Sequence, residues 1–319
     1  MLDSPWLAAG AIVVGGGLLY FGAEWLVKGA SGLAGAFGVR PIVIGLTVVA
    51  YGTSAPELAV SALSAYEGKS AIALGNVVGS NIANLGLILG STALVAPLTV
   101  AGSLVRRELP LLVVVSALAP LLLLDGQVGR VDGALLLVGA LAFTFWTLRP
   151  FGVGKPTLKS EGAEHEAPPV ASKLSLGALA AVGLVFMVGG GKFFVDGASS
   201  LALSMGVSER VVGLTIVAVG TSLPELAASL VAAVRGQPEL AVGNVVGSNI
   251  FNLLFVLGGA SLVHPIPGSV RALAVDFTVM VAVTLVGVAM MATGGRVSRA
   301  EGGVLAIGYA AFVAFLAFG

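Results

Sequence analysis

The chain has 319 residues, of which 57% are hydrophobic and only 10% charged, with 16 Lys and Arg against 16 Asp and Glu. A soluble domain carries roughly 25% charged residues, so this composition excludes a sizeable water-exposed domain, and zero net charge excludes the basic surface that nucleic acid requires. With no cysteine, and with His165 and His264 far apart, disulfides, thiol nucleophiles and thiolate, zinc or haem centres are excluded as well.

An all-α polytopic membrane protein remains. Apolar runs separated by short polar punctuation predict ten transmembrane helices near residues 6–29, 41–66, 71–96, 104–124, 131–148, 174–203, 211–234, 240–263, 273–292 and 302–318. No basic residue precedes the first run, so it is expected to stay in the mature protein rather than leave as a signal peptide. Residues 149–173 are polar and hold Pro150, Pro156, Pro168 and Pro169. They read as a linker between a first five-helix repeat, 1–148, and a second, 174–319.

Residues 45–90 and 213–258 align at a constant offset of 168 without a gap, and 28 of the 46 positions are identical. Chance resemblance between apolar helices does not reach that level, so the halves are duplicates. Each half holds an odd number of spans, which makes the second copy cross the membrane in the opposite sense. Inverted repeats of this kind are the architecture of secondary transporters. An external N-terminus puts eleven basic residues on cytoplasmic loops (Lys28, Arg40, Arg106, Arg107, Arg149, Lys155, Lys159, Lys173, Arg235, Arg296 and Arg299) against four outside (Lys69, Arg130, Arg210 and Arg271). Both termini are therefore expected outside and the linker in the cytoplasm.

Spans two and seven carry Gly52-Thr53-Ser54-Ala55-Pro56-Glu57 and Gly220-Thr221-Ser222-Leu223-Pro224-Glu225. A carboxylate deep in a span costs about 2.5–3.5 kcal/mol on insertion scales, and a bound cation is the natural compensation for two of them. Pro56 and Pro224 each lack a backbone donor, which frees the carbonyls of Gly52 and Gly220 and predicts a broken helix whose oxygens turn toward a cavity. Spans three and eight carry polar stripes at four-residue spacing, Asn76, Ser80 and Asn84 in one and Asn244, Ser248 and Asn252 in the other. Gly75, Gly79, Gly243 and Gly247 are expected to bring helix backbones close. Two carboxylates among hydroxyl, amide and carbonyl oxygens specify a hard cation, and the flexible six-to-eight oxygen shell of Ca2+ suits four broken segments better than the strict octahedron of Mg2+. The same site suits Na+, and mutual exclusion of the two ions is the basis of exchange.

GTSxPE followed by GNVxGSNxxN, twice, resembles the two alpha repeats of the sodium/calcium exchanger family within the cation/calcium antiporter superfamily. The resemblance implies Ca2+ transport coupled to Na+ moving the other way by alternating access, with the ions as substrates and no cofactor. It implies Glu57 and Glu225 as central ligands, with Thr53, Ser54, Ser80 and Asn84 in one half and Thr221, Ser222, Ser248 and Asn252 in the other. The resemblance also implies that carbonyls near Ala50 and Ala218 line the outer sites. Potassium-dependent relatives carry Asp where Asn252 stands, which speaks against potassium dependence, and GTSxPE in place of the GNAxE of the proton-coupled branch favours sodium. A Ca2+/H+ antiporter is the alternative, followed by a K+-dependent exchanger and a cation channel. Beyond the bilayer no obligatory protein partner is expected, and the membrane is expected to be the inner (plasma) membrane of a prokaryote.

Several charges fall outside this scheme. Glu24 and Lys28 map by the offset onto Lys192 and Asp196 with signs reversed, and each pair is expected to close within its own helix. Glu108 and Asp276, also offset mates, are expected at the membrane interface. His264 is expected at the surface, and His165 in the solvated linker.

Overall fold

A computed structural model describes residues 4–148, 172–206 and 218–318. Residues 149–171 of the linker, with His165, and the start of span seven at 211–217 lie outside the described residues. The helices are α1 (Pro5–Phe37), α2 (Pro41–Thr53), α3 (Ala55–Tyr66), α4 (Ser70–Val95), α5 (Gly102–Leu118), α6 (Arg130–Leu148), α7 (Lys173–Ser204), α8 (Ala218–Gly220), α9 (Leu223–Val234), α10 (Pro238–Val263), α11 (Ala274–Ala292) and α12 (Arg299–Phe318). Among the described residues seven helices are long and apolar enough to cross a membrane, and the bent pair α2–α3 makes an eighth. Large apolar side chains such as Trp6, Val13, Phe145 and Ile307 are exposed on the outer surface. That outward apolar face is the mark of an integral membrane protein in contact with lipid.

The first helix is a correction to the sequence reading. It does not end near residue 29 but runs to Phe37, past Lys28, and closes on Gly38, whose φ of 65° is left-handed and whose N–H reaches the carbonyls of Ala34 and Gly35. At 33 residues it exceeds the bilayer core, which a tilted helix accommodates.

α1 packs along its duplicate α7, and the two run antiparallel. A Cβ added at Gly15 would stand 2.7 Å from the Gly190 carbonyl oxygen, one at Gly22 2.7 Å from that of Gly183, and one at Gly29 2.7 Å from that of Leu176. The contact therefore climbs one helix while descending the other. Gly15, Gly22 and Gly29 recur every seven residues, as do their offset mates Gly183, Gly190 and Gly197, so each helix presents one backbone seam.

The same exchange of halves governs the rest of the fold. β1 (Leu98–Thr99) pairs with β4 (Arg296–Val297), and β2 (Gln127–Val128) pairs with β3 (Ile266–Pro267), both antiparallel. Each ladder thus joins one half to the other. α4 and α10, which carry the polar stripes, sit at the centre: α10 packs on α2, α3 and α6, and α4 on α9 and α12. Of the four stripe glycines, Gly243 and Gly247 meet α2 closely: a Cβ added at Gly243 would stand 2.8 Å from the Ile42 carbonyl oxygen, and one at Gly247 2.8 Å from the Ala50 Cβ. Gly75 and Gly79 have no described atom within 4 Å of an added Cβ, so the close approach expected of them is not found among the described residues.

Candidate cation site

The broken helices form where the prolines predict. Ser54 joins α2 to α3 with φ −81° and ψ 3°, and the two segments bend by 41°. Ser222, before α9, has the matching φ −89° and ψ 6°. Pro56 and Pro224 sit in the first turns of α3 and α9, where a missing donor costs nothing, and Glu57 and Glu225 follow in the same turns. Both glutamates are fully buried.

Side chains cross between the halves at this point. Ser54 Oγ donates to Glu225 Oε1 at 3.4 Å, and Ser222 Oγ donates to Glu57 Oε1 at 3.2 Å. Thr53 Oγ1 donates to Asn244 Oδ1 at 3.2 Å and lies 3.5 Å from Ser248 Oγ, while Thr221 Oγ1 donates to Asn76 Oδ1 at 3.3 Å. Each repeat therefore holds the carboxylate of the other.

Seven of the twelve residues singled out from sequence meet in this network: Glu57, Glu225, Thr53, Ser54, Thr221, Ser222 and Ser248. Ser80, Asn84 and Asn252 are buried too, and among the described residues Ser80 Oγ and both amide atoms of Asn84 and Asn252 lack a hydrogen-bond partner. So do Oε2 of Glu57 and Oε2 of Glu225. Buried polar atoms are nearly always paired, so the five unpaired oxygens among these atoms, Ser80 Oγ, Oδ1 of Asn84 and Asn252, and Oε2 of Glu57 and Glu225, have the chemistry of a shell for a hard cation. The Ala50 carbonyl accepts the Ser54 N–H at 3.0 Å, and Ala218 contributes the first described residue of α8.

Two features escaped the sequence reading. Asn84 and Asn252 each open a π-helical turn, Asn84–Leu89 and Asn252–Val256, which widens the helix at the polar residue. Such turns gather at functional sites, but no residue pattern announces them. Asn76 and Asn244 also act as braces rather than free stripe members. Asn76 Nδ2 donates to the Glu57 carbonyl at 3.2 Å and to Ser61 Oγ at 2.9 Å, and Asn244 Nδ2 to the Glu225 carbonyl at 3.3 Å and Ser229 Oγ at 3.0 Å. The signal was present: Ser61 and Ser229 are offset mates, one turn after each glutamate.

Asn244→Leu removes both donors and the Thr53 acceptor together, leaving buried groups unpaired. It is expected to lower stability by about 1–3 kcal/mol, read as thermal unfolding of the detergent-purified protein; an unchanged midpoint would deny the brace.

The charges outside the motifs divide. Lys192 Nζ meets Asp196 Oδ2 at 3.0 Å within α7, as expected. Glu24 does not pair with Lys28 but reaches Arg235 beyond the end of α9, a correction whose cause is that α1 lies against α9. Glu108 is buried with the Arg107 Nε at 3.7 Å, Asp276 is half-buried, and His264 is exposed.

Among the described residues no group of three or more His, Cys, Asp or Glu is placed to hold a metal ion, and the side chains that bond the carboxylates of Glu57 and Glu225 are the hydroxyls of Ser222 and Ser54. The profile of the family described as "Sodium/calcium exchanger protein" matches residues 7–149 and 175–318. The chain belongs to this family. It is 32% identical over 334 aligned residues to the sodium/calcium exchanger MaX1 of Methanosarcina acetivorans, covering 92% of this chain and 94% of that one. It is 40% identical over 291 residues to the inner membrane protein YrbG of Escherichia coli K12, covering 88% and 87%. A solved structure of the sodium-calcium exchanger NCX_Mj, soaked with Na+ and Sr2+, superposes with a TM-score of 0.83 at 32% identity, covering 98% of this chain and 99% of that one. Membership in the family places the chain among membrane cation antiporters, which move ions rather than transform substrates.

Proposed function

We propose that the chain exchanges Na+ for Ca2+ by alternating access, with the cations bound midway through the membrane where two inverted five-helix repeats, 1–148 and 174–319, meet. Ten spans, a cytoplasmic linker at 149–173 and two external termini complete this reading, in the inner (plasma) membrane of a prokaryote. The observation that carries it is the reciprocal bracing of Glu57 by Ser222 and of Glu225 by Ser54. The antiparallel course of α1 and α7 supports the inversion.

Glu57 and Glu225 are the central ligands, and together they balance one Ca2+. Thr53, Ser54, Ser80 and Asn84, with Thr221, Ser222, Ser248 and Asn252, supply neutral oxygens, and carbonyls near Ala50 and Ala218 extend the path. Serines that now bond a carboxylate oxygen can turn to a cation at small cost, because a hydroxyl is both donor and acceptor. Coupling follows from desolvation. Two buried carboxylates without a cation oppose reorientation through a low-dielectric interior, so the site changes sides when loaded. Ca2+ and Na+ share the same oxygens, so one must leave before the other enters.

Equilibrium binding of radioactive Ca2+ to detergent-purified protein tests the shared site. Added Na+ is expected to displace Ca2+ completely and with a steeper than first-power dependence, since more than one Na+ is needed to match its charge. Ca2+ binding indifferent to Na+ would overturn the assignment, and displacement by protons alone would favour the Ca2+/H+ alternative.

A further inference from the structure

We infer that two ion pairs of reversed sign latch opposite faces of the protein in alternation, Glu24–Arg235 in the state described here and Lys192–Glu67 in the state of opposite access; this rests on the alternating-access reading. Glu24 lies on α1 and Arg235 at the end of α9, and their pairing ties two helices together with side chains 29% and 52% exposed. The offset of 168 carries Glu24 onto Lys192 and Arg235 onto Glu67. Both signs reverse, so the attraction survives the exchange.

In this state the second pair is apart. Lys192 turns to Asp196 on its own helix, and Glu67 Oε2 meets Lys69 Nζ at 2.7 Å in its own loop. Packing shows the same asymmetry: α1 lies along α9, whereas α7 makes no comparable contact with α3, the offset mates of that pair. A cavity lies on the side where the second pair is apart. Lys192 and Asp196 border a cavity of about 200 Å3 whose other walls include Pro56, Val195, Thr221 and Pro224, beside both broken-helix turns. Val27, the offset mate of Val195, is buried behind the formed pair. Exchanging the halves predicts the other state: Lys192 reaches Glu67, Glu24 falls back to Lys28 as Lys192 now does to Asp196, and Val27 faces water. With the N-terminus outside, the latched face is cytoplasmic and the present state opens outward. Partly exposed ion pairs are weak, which suits a latch that must release in every cycle.

The chain has no cysteine, so single introduced cysteines label without background. Val195→Cys and Val27→Cys report the two faces through their rates of reaction with a membrane-impermeant maleimide in purified protein. Arg235→Gln is expected to raise the Val27→Cys rate about threefold and lower that of Val195→Cys, Lys192→Gln to do the reverse, and the paired change Glu24→Arg with Arg235→Glu to restore the original ratio. Rates that respond to Na+ and Ca2+ but not to these charge changes overturn the latch and leave the exchange mechanism standing. Rates that respond to neither ion overturn both.

Discussion

Glu57→Gln and Glu225→Gln are each expected to reduce Ca2+ exchange at least about a hundredfold while the protein stays folded. In the proposed site each substitution removes one of the two formal charges that would balance a divalent ion. A charge-assisted contact contributes roughly 3 kcal/mol, and about 1.4 kcal/mol is a factor of ten. Folding is spared because Gln keeps the shape and still offers an oxygen to the serine that donates across the repeats, Ser222 to position 57 and Ser54 to position 225. The exchange of halves predicts similar losses at the two positions. Initial rates of radioactive Ca2+ uptake into proteoliposomes measure this. A variant keeping more than a tenth of the wild-type rate would move the ion elsewhere.

The second large effect concerns folding. Gly22→Leu places a Cβ 2.7 Å from the Gly183 carbonyl oxygen and 2.8 Å from the Met187 backbone nitrogen, and neither atom can yield without moving α7. Overpacking of this kind costs about 1–3 kcal/mol where side chains can shift, and more where backbone blocks the way. Loss of the monodisperse peak on size-exclusion chromatography is the expected result. Gly16→Leu provides the control, since among the described residues no atom lies within 4 Å of a Cβ there. Equal behaviour of the two variants would show that the seam does not hold α1 to α7.

Much of this was legible in the sequence because the duplication fixes so much. Pro56 and Pro224 locate the helix breaks without reference to any other element, since a missing donor is a local fact. The pairing of Glu57 with Ser222 was not legible, because it depends on which helices meet. The seven-residue spacing of Gly15, Gly22 and Gly29 was visible but carries no meaning until a partner helix is known. Glu24 illustrates the same limit: intrahelical spacing favoured Lys28, and only the packing of α1 on α9 brings Arg235 within reach. The π-helical turns that open at the offset mates Asn84 and Asn252 were not anticipated, because apolar periodicity does not distinguish a π turn from the α-helix that contains it.

Exchange itself is tested most directly by Ca2+ flux into proteoliposomes under separately imposed Na+, K+ and H+ gradients. An outward Na+ gradient is expected to drive Ca2+ accumulation that stops when Na+ is equalised, with K+ and H+ gradients ineffective at constant membrane potential. Ca2+ accumulation driven by a proton gradient, and indifferent to Na+, would contradict Na+/Ca2+ exchange.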